Sequence, residues 1–313
     1  MKKFILQTLF FAVPFAGYCL LIFFIDPFNY FDREGIFSTC TKEEVVRDIE
    51  PHLFKMLAFE NDPKPNWVIG DSRSNGLYYV ADEENWANLA YGGASLKEMI
   101  QSFWWANTIQ QPDTVLMGIN LSLYNKYNKR FWVEETISRK SNFFSYSFNN
   151  YTFEGALALL QSGNDQKKTL SEEDNPDAKD YYWQKKLEGV GKFHSNMAYP
   201  TDYYLQLKEI SNYCRERGIK LIFWIPPLHR DYQSMVEDYP VEKLNHKFLA
   251  DLRSLADVFD FNYTSQLTLD RDNFRDPVHF TEEVAKTIFQ EIRAYSPKNA
   301  VIYKSSATDS NFL

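Results

Sequence analysis

The pattern of apolar and polar positions opens with one long uncharged run. From Phe4 to Ile25 the chain reads FILQTLFFAVPFAGYCLLIFFI, with Gln7 its one strongly polar residue. A helix of that length covers the ~30 Å of a bilayer's hydrocarbon, so the run predicts a spanning helix within residues 1–25. Lys2 and Lys3 precede it, and Asp26 and Asp32 follow. By the positive-inside rule the N-terminus is then cytoplasmic and the rest extracytoplasmic, as in a single-pass protein of the cell membrane. A cleaved signal peptide is the rival reading, but the run exceeds the usual h-region and no A-x-A-like site follows it. Cys19 is preceded by Tyr18 where a lipid-modified cysteine needs a small residue, so it reads as part of the membrane core.

Beyond a connecting segment (26–65), short apolar runs alternate with helical periodicity. Strands are expected at 67–70, 114–119, 220–225 and 258–261, each apolar or β-branched and aromatic throughout, as in a parallel sheet covered on both faces. Helices are expected at 96–110, 202–217, 242–256 and 281–294. Gly218 is placed to close the second, and Thr281 to start the last with Glu282 and Glu283 in its first turn. This order predicts an α/β fold over 66–297, a three-layer α/β/α sandwich on a mostly parallel sheet, preceded by the one transmembrane helix. Residues from about 130 to 200 break the rhythm and read as an insertion with some helix and a solvated loop. The segment 298–313 reads as a polar, frayed tail.

Composition narrows the function. The 313 residues carry a net charge of −8 and no run of five basic residues, which leaves nucleic acid without an electrostatic footprint. Cys19, Cys40 and Cys214 are too few for a disulfide framework and lack zinc spacing. Cys40 and Cys214 could bridge if both face an oxidising compartment; otherwise they are two buried thiols. No pair of the five histidines has metal spacing, and no cofactor is expected.

The first chemical signal is Trp67-Val68-Ile69-Gly70-Asp71-Ser72-Arg73-Ser74-Asn75-Gly76. An apolar strand ends at Gly70 and a serine follows at once, at the carboxyl edge where open α/β sheets bind ligands. Asn88-Leu89-Ala90-Tyr91-Gly92-Gly93-Ala94-Ser95 is a second turn of the same kind, and Met117-Gly118-Ile119-Asn120 ends a third strand. Near the end stands Arg275-Asp276-Pro277-Val278-His279-Phe280, where a tight turn can bring a carboxylate and an imidazole to one mouth. His229, after the 220–225 strand, could border a pocket there. His52, His194 and His246 read as surface residues. Arg73 and Asn75 either orient substrate or face solvent, and Phe103-Trp104-Trp105 reads as core.

These blocks, in this order, resemble those of the SGNH (GDSL-like) hydrolases. The resemblance implies Ser72 as nucleophile, with Asp276 and His279 as acid and base, and the Ser72 amide, Gly93 and Asn120 as oxyanion donors. The third block departs from the family pattern, with Leu121 where aspartate is usual. The N-terminal helix, the GDSRS run and Pro226-Pro227-Leu228-His229 resemble the membrane-anchored SGNH partners of membrane-bound O-acyltransferases. Those include the D-alanyl transfer protein of lipoteichoic acid synthesis and the alginate O-acetylation proteins. What this implies is a serine acyltransferase with an acyl donor, a glycan acceptor and a membrane-bound O-acyltransferase partner. An esterase, or a non-catalytic glycan- or partner-binding domain, are the alternatives.

Overall fold

The computed structural model describes residues 2–32, 35–78, 80–81, 84–128, 130–162, 176–195 and 197–306. In chain order the helices are α1 (Lys2–Ile25), α2 (Thr39–Val46), α3 (Pro51–Asn61), α4 (Ser72–Asn75), α5 (Leu96–Ile109), α6 (Trp132–Arg139), α7 (Phe143–Ser147), α8 (Asn150–Ser162), α9 (Pro176–Glu188), α10 (Val190–His194), α11 (Thr201–Glu216), α12 (Arg230–Glu237), α13 (Glu242–Arg253), α14 (Gln266–Leu269) and α15 (Glu282–Ala294). The strands are β1 (Asn66–Ile69), β2 (Trp86–Asn88), β3 (Thr114–Gly118), β4 (Lys220–Ile225), β5 (Asp257–Asp260), β6 (Phe274–Asp276), β7 (His279–Phe280) and β8 (Val301–Tyr303). They fall into two compact units, one of 1–63 with 132–169 and one of 64–131 with 170–313.

The first unit is helical. Ile22 and Ile25 at the end of α1 are buried with Phe28, Val46, Leu53, Leu57, Ala156 and Leu159. The segment expected to connect thus folds with the first part of the insertion, because each supplies an apolar stripe that the other covers. A buried polar knot fixes the junction: the Asp26 carboxylate accepts from the Tyr30 and Phe31 amides (2.8 and 3.1 Å) and from the Tyr146 hydroxyl (3.0 Å). His52, expected at the surface, is buried on α3 against the edge of Trp132. Helix α1 is 24 residues long, but its described side chains begin at Phe10. Among the described residues no helix is long and apolar enough to cross a membrane.

The second unit is an α/β sandwich. Its six-stranded sheet has the order β2-β1-β3-β4-β5-β8, with β8 antiparallel to β5 and every other pairing parallel. Neighbouring residues of β1 face opposite ways, as the pleat requires. Trp67 meets Phe103 of α5 (5.9 Å between rings), and Phe103 meets Tyr213 of α11. Val68 joins Leu116, Ile222, Phe259 and the Ile288–Ile292 stripe of α15 in the other core. Phe103 is thus core, while Trp104 rests against Tyr213.

The four expected strands and four expected helices all form, with no end displaced by more than three residues. Gly218 closes α11 in the left-handed region (φ 69°), and the Ile219 amide reaches back to the Cys214 carbonyl at 2.8 Å. Thr281 precedes α15, but its hydroxyl makes no capping bond. Residues 301–303 do not fray: Val-Ile-Tyr has strand propensity and pairs with 258–260 as the sheet's edge. Strand β2 escaped the sequence because Trp86-Ala87-Asn88 is too short to show a period. Cys19, Cys40 and Cys214 are all free thiols, Cys214 buried and Cys40 exposed.

Candidate active site

Strand β1 runs out at Ile69, and Ser72 begins α4 three residues later. The start of that short helix lies almost against the sheet, which only glycine allows on its two flanks. A Cβ at Gly70 or at Gly118 would overlap the Ser74 hydroxyl, and one at Gly118 would also stand 2.9 Å from the Trp224 indole. Asn88 ties the next strand to the same turn, its Nδ2 donating to the Ser74 carbonyl at 3.0 Å. These contacts fix where the Ser72 side chain emerges.

The far end of the chain meets it there. Strands β6 and β7 form a two-stranded ribbon whose turn carries Asp276 and His279. Asp276 Oδ1 accepts from the Val278 and His279 amides (2.8 and 3.0 Å), so the carboxylate shapes its own turn. Its Oδ2 lies 2.7 Å from His279 Nδ1, and His279 Nε2 lies 2.9 Å from Ser72 Oγ. Burial pushes the Asp276 carboxyl up. The His279 bond and charge, the Val278 amide and Lys186 more than offset this and hold it below the usual range. Asp276 therefore stays ionised, and a proton on Nδ1 leaves Nε2 as an acceptor for the serine hydroxyl.

Asp71 and Arg73 flank the serine as a buried ion pair. The Asp71 carboxylate caps α4 through the Arg73 amide (3.0 Å) and takes the Arg73 guanidinium through both Nε and Nη2. Burial alone would raise Asp71; the Arg73 charge and bonds bring it below its ordinary value, and His279 lowers it further. Arg73 is thus not a solvent residue: it is buried and its guanidinium is paired with Asp71, while it also lines the cavity described below. Asn75 is half-buried, its amide bonded to the Asp71 carbonyl.

Of the two remaining oxyanion candidates, Gly93 is left-handed (φ 71°), and a Cβ there would come within 3.2 Å of the Arg130 guanidinium. Asn120 is buried after β3. Its Nδ2 donates to Asp71 at 3.3 Å, and its Oδ1 accepts from the Ser122 hydroxyl. An amide nitrogen has two protons, so one remains for another acceptor. Leu121, which follows Asn120, begins a 3-10 turn over residues 121–124.

His229 does not border the site as an open group. It caps α12, Nδ1 accepting from the Asp231 amide at 3.1 Å, and its ring is buried against Trp183 and Phe274. Its own amide donates to the Pro277 carbonyl at 2.9 Å, so it braces the turn that carries Asp276 and His279. A cavity of about 520 Å³ opens beside Arg73 and Asn120, lined also by Ser122, His194, Tyr232 and Gln233. His194 is buried, against the expectation of a surface residue, with Nδ1 2.9 Å from the Val190 carbonyl; His246 is exposed.

No protein-family model matches the chain, and no curated protein matches it. Solved structures do. A Bacteroides fragilis protein described as an acylhydrolase aligns over 77% of this chain and 95% of its own, at 12% identity and a TM-score of 0.39. A Streptococcus pneumonia protein described as a platelet activating factor aligns over 81% and 94%, at 12% identity and a TM-score of 0.38. Likeness at that level leaves the chemistry to the site's own geometry.

Three participants carried no sequence signal. Lys186 on α9 lies 3.9 Å from Asp276, Trp183 on the same helix donates to Asp231 at 3.0 Å, and Arg130 stands over Gly93. All come from the segment that reads as an insertion, where no motif marks them. Among the described residues no cluster of three or more His, Cys, Asp or Glu could hold a metal ion.

Proposed function

We propose that this chain is a serine acyltransferase of the SGNH hydrolase type, anchored to the cell membrane by α1 with its α/β unit outside. The observation that carries the chemistry is the chain of hydrogen bonds from Asp276 through His279 to Ser72. Ser72 Oγ attacks the carbonyl carbon of an acyl ester or thioester while His279 Nε2 takes its proton, and Asp276 stabilises the imidazolium. The negative oxygen is met by the Ser72 and Gly93 amides and the second Asn120 proton. The tetrahedral intermediate then collapses, its leaving group takes the proton from His279, and the acyl group stays on Ser72. An acceptor hydroxyl gives its proton to His279 and takes the acyl group, which restores the serine.

A glycan hydroxyl as acceptor makes a transferase, and water makes an esterase. The transfer reading draws on the anchored architecture: the uncharged run Phe4–Ile25 and its flanking charges suit a protein held near a cell-envelope or secreted glycopolymer, beside a membrane-bound O-acyltransferase. Purified protein incubated with an activated acetyl ester, with and without oligosaccharide, separates the two. Acetylated oligosaccharide is expected; acetate release unaffected by the glycan would leave hydrolysis as the function. A purely binding role requires that neither product forms.

A further inference from the structure

The first unit has an apolar surface that its own core does not use. On α8, Thr152, Gly155, Ala156 and Leu159 are buried, whereas Phe153, Leu157 and Leu160 are 51%, 43% and 50% exposed. Those three positions share one helical stripe, and Asn150, Glu154 and Gln161 lie along one side of it, between the exposed apolar stripe and the buried face. Phe144 and Phe148 extend the exposed stripe onto the preceding helix and its end.

This surface is continuous with α1. Phe148 stacks on Phe15 (4.9 Å between rings), Tyr18 lies against Phe148 and Phe153, and the Tyr18 hydroxyl donates to the Ser147 carbonyl. Phe15, Tyr18, Ile22 and Ile25 form the face of α1 turned to α7 and α8. Phe10, Val13, Leu20, Leu21 and Phe24 lie on its opposite, exposed face. Isolated exposed apolar residues need no explanation, but a contiguous patch running off a helix with no charge from Phe4 to Ile25 does.

We infer that α7 and α8 lie in the membrane interface as a foot beside α1, with Phe144, Phe148, Phe153, Leu157 and Leu160 set into the acyl chains of the outer leaflet. The inference rests on the anchoring reading above. Lipid is the occupant because the patch continues the surface of the spanning run, because aromatic side chains dominate it, and because its polar flank is what an interfacial helix keeps toward headgroups. The anchor is then a three-helix wedge.

The test places a photo-reactive diazirine amino acid singly at Leu157, Leu160, Leu21 or Leu269 of the full chain. The protein is reconstituted in phosphatidylcholine–phosphatidylglycerol vesicles, irradiated and read by mass spectrometry. Leu269 is a solitary exposed apolar residue of the α/β unit and serves as control. Phospholipid adducts at 157, 160 and 21, with none at 269, are expected. Adducts at 21 alone would overturn the foot and leave the anchor standing. Protein adducts at 157 and 160 would overturn it in favour of a protein partner. No lipid adduct at 21 would remove the anchor itself, and the foot with it.

Discussion

His279 Nε2 stands 2.9 Å from Ser72 Oγ across 207 residues of sequence. Both ends of that bond are held independently, Ser72 by the packing of α4 against Gly70 and Gly118, and His279 by the Asp276 turn and its brace at His229. The bond is therefore a property of the fold, and variants that loosen either support should be felt in stability before chemistry.

Gly118→Ala is the sharpest case on the serine side. The added methyl overlaps Ser74 Oγ and crowds Trp224, which is fully buried. A loss of about 1–3 kcal/mol is expected, as for other overpacked cores, measured by urea unfolding. An unchanged midpoint would mean that the close approach does not exist.

Arg73→Met leaves Asp71 buried without its cation, a change that typically costs about 3–5 kcal/mol. The folded Asp71 value lies below its unfolded one, so the pair's contribution is present above pH ~4 and lost as pH falls through the lower folded value. The stability gap between wild type and variant should be widest near neutrality and close on acidification. A gap that stays constant from neutral pH into the acid range would contradict the pairing.

Asp260, at the end of β5, runs the other way. Burial pushes it up to about 6, with the Asn262 amide opposing. A raised carboxyl contributes stability below the unfolded value of ~4 and loses it as pH rises through about 6. Asp260→Asn should therefore match wild type below pH ~4 and be more stable above pH 6, by up to about 3 kcal/mol. Equal melting behaviour at pH 4 and pH 7.5 would refute this.

Cys214, near the end of α11, is buried and its thiol is pushed up to about 12, whereas Cys40 is exposed. In the native protein without reductant, a maleimide should label Cys40 and spare Cys214, which reacts only after denaturation. Failure of both to react until a reductant is added would show a bridge between them.

The sheet was legible where strands are buried on both faces: the apolar runs 221–225 and 115–117 lie in β4 and β3, and these strands are its centre. The edges were not, because β2 and β8 have three residues each, too few for a period. Asp276 and His279 stood out because the spacing of one turn places both groups at one mouth. Arg73 was ambiguous because its neighbours in sequence do not show that Asp71 is buried. Lys186, Trp183 and His194 approach through the path of α9 and α10, which is a matter of tertiary packing.

The chemistry of the site turns on His279 activating Ser72. Incubation with a fluorophosphonate probe, followed by peptide mass spectrometry, tests it directly. Wild-type protein should carry one adduct, on Ser72; Ser72→Ala should carry none; and His279→Ala, if it melts like wild type, should label on the order of 10²–10⁴-fold more slowly. Wild-type protein that stays unlabelled, or a His279→Ala variant that labels as fast as wild type, would contradict it.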